Sequence, residues 1–149
     1  MEQIMTSVAA QSPSVTPSPV LATVADVMQR SMTTVDQYDH VAAAAYLMKH
    51  AATSALMVVD TRSGRTMGII TERDVAETVA DGKDVNEVRV HAAMTTRPAV
   101  IDATTSVRDA AKIMTSGHFR HLPVVGPDGL LGVLDINDVC QVLIGADEG

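Results

Sequence analysis

Aromatic residues are nearly absent: one Phe, two Tyr and no Trp make up 2% of the 149 residues. A core without rings has to be built from Val, Ile, Leu, Met and Ala, and any planar ligand would rest on aliphatic side chains. The stacking platforms that hold single-stranded nucleic acid are missing. Basic clusters are missing as well. The formal charge of -7 comes from 18 acidic and 11 basic residues, and no Lys/Arg run could neutralise a row of phosphates, which argues against nucleic acid as a partner. Cys140 is the one cysteine, so no internal disulfide closes, as expected of a chain in a reducing compartment. Its place in an apolar helical pattern predicts a buried, inert thiol. No apolar run approaches the roughly 20 residues that span a bilayer, and the N-terminus lacks the charged-then-apolar pattern of a secretory signal. The expectation is a cytoplasmic protein with no membrane partner. Finally, no Ser/His/Asp constellation, phosphate loop or metal-ligand spacing emerges, so the expected function is non-catalytic, with no cofactor required. His40, His50 and His91 are scattered and read as surface residues.

What is abundant is hydrophobic side chains, 46% of residues, enough for a shared core, and they are distributed twice over. At an offset of 66, Val24 matches Val90, Met28 matches Met94, Asp36 matches Asp102, Val41 matches Val107, Met48 matches Met114 and Leu56 matches Leu122. After a turn of different length the offset is 64, placing Gly68 on Gly132, Asp74 on Asp138 and Val75 on Val139. Two copies of one unit of roughly 55–60 residues therefore follow a Ser/Pro-rich start. The expected organisation is a flexible N-terminal tail over 1–20, or an arm on a neighbouring subunit, then a first repeat over 21–84 and a second over 85–146.

Each copy reads as a short helical lead-in, a brief extended segment, an amphipathic helix, a buried strand, a polar turn, a second strand and a closing helix. The amphipathic faces are Val41, Ala44, Ala45 and Met48 in one copy and Val107, Ala110, Ala111 and Met114 in the other. The turn is too short for a crossover, so the last two strands form an antiparallel hairpin. The fold class is α+β: two pseudo-symmetric β-α-β-β-α repeats. One copy alone has too little core, which predicts that the repeats pack through their sheets into one globular module.

The segments "VADVMQRSMTTVDQYDHVAAAAYLMKHAATSALMVVD" with "GIITERDV", and "VHAAMTTRPAVIDATTSVRDAAKIMTSGHFRHLPVV" with "GLLGVLDINDV", resemble two successive CBS motifs, the tandem called a Bateman module. The resemblance covers about 24–144 and implies a stand-alone regulatory CBS pair, binding an adenine nucleotide or adenosyl ligand in a cleft between the repeats.

The sharpest motif is Gly68-Ile69-Ile70-Thr71-Glu72-Arg73-Asp74, a strand running into a helix start. A helix N-terminus attracts an anion, Thr71 can donate its hydroxyl to a phosphate oxygen, and the Asp74 carboxylate can accept from both hydroxyls of a ribose. The same spacing suits a capping box, in which both side chains merely satisfy the helix. In the second copy, Asp135 stands where the first has Thr71. An ionised carboxylate would repel a phosphate and cannot donate, so the site built on Asp138 is expected to be empty or to take a ligand lacking phosphate there. Arg120 and His121, just before Leu122-Pro123-Val124, occupy positions from which CBS proteins reach phosphates; the other reading makes them a solvated edge or partners of nearby carboxylates. His118 is expected to face solvent. The adenine slot would draw on Thr34, Val35, Met67, Ile69 and Ile70, with Ala99 and Val100 as its weaker counterparts, or else these strands simply fill the core.

The expected ligand is AMP, ADP or ATP, or S-adenosylmethionine, with AMP or ADP favoured because positive charge is scarce. A homodimer joined through helices carrying Val75, Val79, Val139 and Leu143, and an unidentified regulated protein, are the expected partners. The alternative is a dimeric interaction scaffold that binds no ligand.

Overall fold

Runs of Val, Ile, Leu and Met such as Leu56-Met57-Val58 and Ile69-Ile70 are buried at successive positions, so both faces of the strands that carry them are covered. A computed structural model describes residues 6–7 and 22–148. In chain order the elements are β1 (Thr6–Ser7), α1 (Val24–Val27), β2 (Thr34–Asp36), α2 (Val41–Ala51), β3 (Ala55–Asp60), β4 (Arg65–Thr71), α3 (Glu72–Ala80), α4 (Val90–Ala93), β5 (Ala99–Asp102), α5 (Val107–Gly117), β6 (His121–Gly126), β7 (Gly129–Asp135) and α6 (Ile136–Glu148). This is the α+β repeat expected, and the described residues divide into two units, one of 32–98 and the other of 6–7 and 22–31 with 99–148. Of the tail expected over 1–20, all but Thr6–Ser7 lies outside the described residues; that pair runs parallel to Ala99 and Val100. Among the described residues no helix is long and apolar enough to cross a membrane.

In the first unit β3 is the central strand, parallel to β2 and antiparallel to β4. Val35, Leu56, Val58 and Ile70 meet Ala44 and Met48 of α2 in one cluster of buried side chains. Helix α2 ends at Ala52, which takes the left-handed conformation (φ 53°) so that the Thr53 N–H can bond the Met48 carbonyl. In the second unit β6 is central, between β5 and β7, and β1 extends the sheet beyond β5. Ile101, Leu122, Val124 and Leu134 pack on Ala110 and Met114 of α5, and His118 (φ 58°) repeats the left-handed cap. Each hairpin slips its register at matching points, between Val58 and Val59 and between Val124 and Val125.

The compact units exchange the lead-ins of the sequence repeats. Val24 and Met28, which open the first repeat, are buried in the core of the second unit, and Val90, which opens the second, is buried in the first. The backbone fixes each exchange. Val24 N–H donates to Thr105 and Ala25 N–H to Ala103, while Val90 N–H donates to Asp39 and His91 N–H to Gln37. The chain then crosses the final strand of the unit it has joined: Thr95 exchanges two hydrogen bonds with Ile69 (2.9 and 3.0 Å), and Gln29 exchanges two with Val133 (2.9 and 3.0 Å). This crossing explains the glycine repeated at 68 and 132. A Cβ on Gly68 would overlap the Thr95 carbonyl oxygen, and one on Gly132 the carbonyl oxygen of Gln29.

Cys140 departs from expectation, because its thiol is exposed. On α6 it is Val139 that enters the core, with Val142 and Leu143 packed against it, and the next residue around the helix turns outward. The closing-helix residues also part company: Val139 is core, whereas Val79 is 59% exposed.

Candidate ligand site

The first unit brings Thr34, Ile69, Thr71 and Asp74 to one side of its sheet. Thr34 and Ile69 both pair with Met57, from opposite edges of β3, so the three residues form one row across the sheet. Thr71 lies two residues further along β4 and shares that face. Val35 and Ile70 fall on the alternate positions, and both are claimed by the core under α2, at 3% and 0% exposure. Ile69, on the opposite face, is buried as well, at 5% exposure, but outside that cluster.

At the β4–α3 junction the capping box is formed in full. Asp74 Oδ2 accepts from the Thr71 N–H (2.9 Å) and from the Thr71 hydroxyl (3.2 Å), and the Asp74 N–H donates to Thr71 Oγ1 (3.4 Å). Both bonds to the carboxylate use one oxygen, so Oδ1 stands outside the cap. Burial pushes the Asp74 carboxyl above the ordinary aspartate value of 3.8, against the hydrogen bonds from Thr71, which pull it down. The helix start offers less to an anion than its sequence suggests, because the Glu72 N–H is already bonded to the Ser54 carbonyl (3.0 Å) and the Asp74 N–H to Thr71. Nearby, Arg73 is exposed and paired with Glu77 at 3.3 Å.

The second unit places its counterparts on the same scaffold with different partners. The Ile136 N–H donates to the Arg120 carbonyl (2.9 Å), repeating the Glu72–Ser54 bond. Asp135 does not form the reciprocal box. Its Oδ1 accepts from the Asn137 N–H (2.8 Å), and its Oδ2 faces His121 Nε2 at 3.2 Å. His121 and Asp135 are directly opposite in the β6–β7 ladder, and both side chains are largely covered, 8% and 19% exposed. Asp138 in turn accepts from Gln29 Nε2 at 3.2 Å. Arg120 and His118 are exposed. Val100 is buried and, next to the core residue Ile101, points to the opposite face.

Gln29 was not legible as a site residue. It follows a lead-in that the repeat assigns to the other copy, and only the exchange of lead-ins carries it over β7. Its counterpart at the matching offset, Thr95, crosses β4 in the same way, yet among the described residues no hydrogen bond joins it to Asp74. Among the described residues, too, no group of three His, Cys, Asp or Glu side chains is placed to hold a metal ion.

Known proteins share this fold. The CBS domain model matches residues 24–81 and 85–145. The CBS domain-containing protein YhcV of Bacillus subtilis is 31% identical over 120 residues, covering 80% of this chain and 84% of YhcV. The chain spans 62% of the length of an uncharacterized 17.7 kDa protein of Acidianus ambivalens, to which it is 36% identical over 105 residues. Among solved structures, a CBS-domain containing protein of Agrobacterium tumefaciens has a TM-score of 0.73 at 30% identity, covering 80% of this chain and 90% of that one. A CBS domain protein of Pyrobaculum aerophilum complexed with AMP has the same TM-score of 0.73 at 21% identity, covering 86% of this chain and all of that one, a likeness of fold. With two matched domains that take in most of the chain, the protein belongs to the CBS-domain family and carries two CBS domains in tandem, the regulatory module of that family.

Proposed function

We propose that this regulatory CBS pair is a non-catalytic sensor whose first unit binds an adenine nucleotide or related adenosyl ligand at Thr71 and Asp74. The observation that carries this reading is the state of the two matching aspartates. Asp74 is half-buried, its carboxyl is raised by that burial, and its helix cap occupies only one oxygen. A ribose diol donating to Oδ1 would supply hydrogen bonds that the buried carboxylate lacks, and bonds to a charged acceptor are worth roughly 1.5–3 kcal/mol each. At Asp138 the bonded oxygen is taken by Gln29, a side chain from outside the helix, and the adjoining Asp135 carboxylate replaces a hydroxyl that could have donated to phosphate. The adenine would lie on the face carrying Thr34 and Ile69.

AMP or ADP suits the site better than ATP, since Arg73, the cation in the first turn of α3, is shared with Glu77. S-adenosylmethionine is the phosphate-free candidate. The AMP complex of the Pyrobaculum aerophilum protein supports the class of ligand. Binding would then alter the geometry of a homodimer and so inform a regulated partner protein.

The test is a thermal-shift panel of AMP, ADP, ATP and S-adenosylmethionine on the parent, Asp74→Ala and Asp138→Ala. A ligand at 100 times its Kd adds about 2.7 kcal/mol, a shift of roughly 5–10 °C in a chain of this size. The expected pattern is a shift that Asp74→Ala abolishes and Asp138→Ala keeps. No shift with any ligand at millimolar concentration would leave the scaffold that binds no ligand as the better description.

A further inference from the structure

We infer that Gln29 is a specificity-determining residue, a built-in occupant of the second unit that keeps Asp138 from a nucleoside and leaves the module with one working site. The inference rests on the reading of Asp74 as the ligand contact in the first unit. Gln29 sits where the lead-in crosses β7, its backbone bonded twice to Val133. That anchoring holds its side chain at the start of α6, where Nε2 donates to Asp138 Oδ2 at 3.2 Å. A ribose hydroxyl donating to Oδ2 would have to displace that amide. Oδ1 is outside the bond, as it is on Asp74, so the barrier is a side chain from outside the helix laid against the carboxylate, where Asp74, among the described residues, is bonded only by its own cap. The first unit has the same crossing with Thr95, a shorter side chain with a hydroxyl in place of the amide. The cap itself differs in the same sense. Asp74 is bound by its own Thr71 through Oδ2, whereas Asp135 turns from Asp138 to His121 and leaves the second carboxylate to Gln29. Gln29 and Asp135 therefore act as two independent barriers, one against the sugar and one against its phosphate.

Equilibrium dialysis of AMP against the full chain separates them, using the parent, Asp135→Thr, Gln29→Ala/Asp135→Thr, and that double variant with Asp138→Ala. Thr is the residue the first unit carries at this position, and circular dichroism checks that each variant keeps the parent fold. The expected result is one AMP per chain for the parent, a second for the double variant, and loss of the second on adding Asp138→Ala. Asp135→Thr alone should hold that second AMP about tenfold more weakly than the double variant, the factor expected of one competing hydrogen bond. If Asp135→Thr alone binds as tightly as the double variant, or if the double variant binds no more than the parent, Gln29 is no barrier. If the parent binds none but the double variant binds one through Asp138, Gln29 stands and the first-unit site falls. If neither binds, both fall.

Discussion

Gly68→Ala puts the exchanged lead-ins to the test most directly. The new methyl group would overlap the carbonyl oxygen of Thr95, a backbone atom that cannot rotate out of the way as the end of a flexible side chain could. Either the lead-in lifts from β4 or the strand bends. Overpacking of this kind costs about 1–3 kcal/mol. Lifting the lead-in also releases the reciprocal Ile69–Thr95 bonds, 3.0 and 2.9 Å, each worth about 0.5–1.5 kcal/mol. The combined loss is about 2–4 kcal/mol, since a full lift relieves the overlap that it answers, and the melting temperature should fall by roughly 5–15 °C. Gly132→Ala should cost as much, because Gln29 stands to Gly132 as Thr95 stands to Gly68. Gly145→Ala is the control: it lies at an exposed position of α6 with nothing within 4 Å of the added Cβ, and should gain up to about 1 kcal/mol from helix propensity. Urea unfolding followed by circular dichroism reads all three. A Gly68→Ala variant within about 0.5 kcal/mol of the parent, the range of an ordinary surface change, would refute the close approach.

Two further outcomes follow from the backbone and the carboxylates. Ala52 and His118 hold left-handed conformations that cost a residue with a Cβ about 1 kcal/mol or more, so Ala52→Gly and His118→Gly should each raise the urea midpoint; a fall in both would contradict the caps described. The titrations of three aspartates should split in sign, read by carboxyl NMR. Asp36, held by the Thr61 and Tyr38 N–H groups, and Asp102, held by the Thr104 N–H and hydroxyl, lie below 3.8, so the stability they contribute is present above that pH and is lost as pH falls through their folded values. Asp74 lies above 3.8, so between 3.8 and its folded value the native form holds the extra proton, and stability falls as pH rises through that window. Asp74→Asn keeps an oxygen for the Thr71 N–H and should flatten that slope while losing the ligand response; an unchanged slope would remove the assignment.

Much of the fold could be read from periodicity because both copies obey it. Val41, Ala44 and Met48, and their counterparts Val107, Ala110 and Met114, are the buried positions of α2 and α5, as the 3.6-residue spacing requires. The hairpins and their turns follow from the same pattern. Cys140 was misplaced because α6 has apolar residues on adjoining positions, and a pattern of types does not say which of two neighbours faces inward. Strand faces were open for a similar reason: Val35 and Ile70 are as apolar as Ile69, and only the position of the covering helix assigns Val35 and Ile70 to the core.

The site was legible only as far as local sequence reaches. The contrast between Thr71 and Asp135 is visible in the aligned copies, and the choice between a capping box and a ligand contact was rightly open, because the box forms and still leaves Oδ1 outside it. Gln29 lay beyond that reach because its partner is 109 positions away and on the unit that the repeat assigns to the other copy. The repeated glycine was the one sign of the crossing, since Gly68 and Gly132 in otherwise aliphatic strands call for something to pass close by. The two units share every scaffold contact described at this junction, the crossing lead-in, the glycine, the carbonyl that caps the closing helix. They differ in the side chains laid over it: Thr95 against Gln29, Thr71 against Asp135, Ala55 against His121. A duplicated fold that keeps its backbone contacts while changing these three presents one architecture with two different sets of side chains, the difference on which the proposed one-site sensor depends.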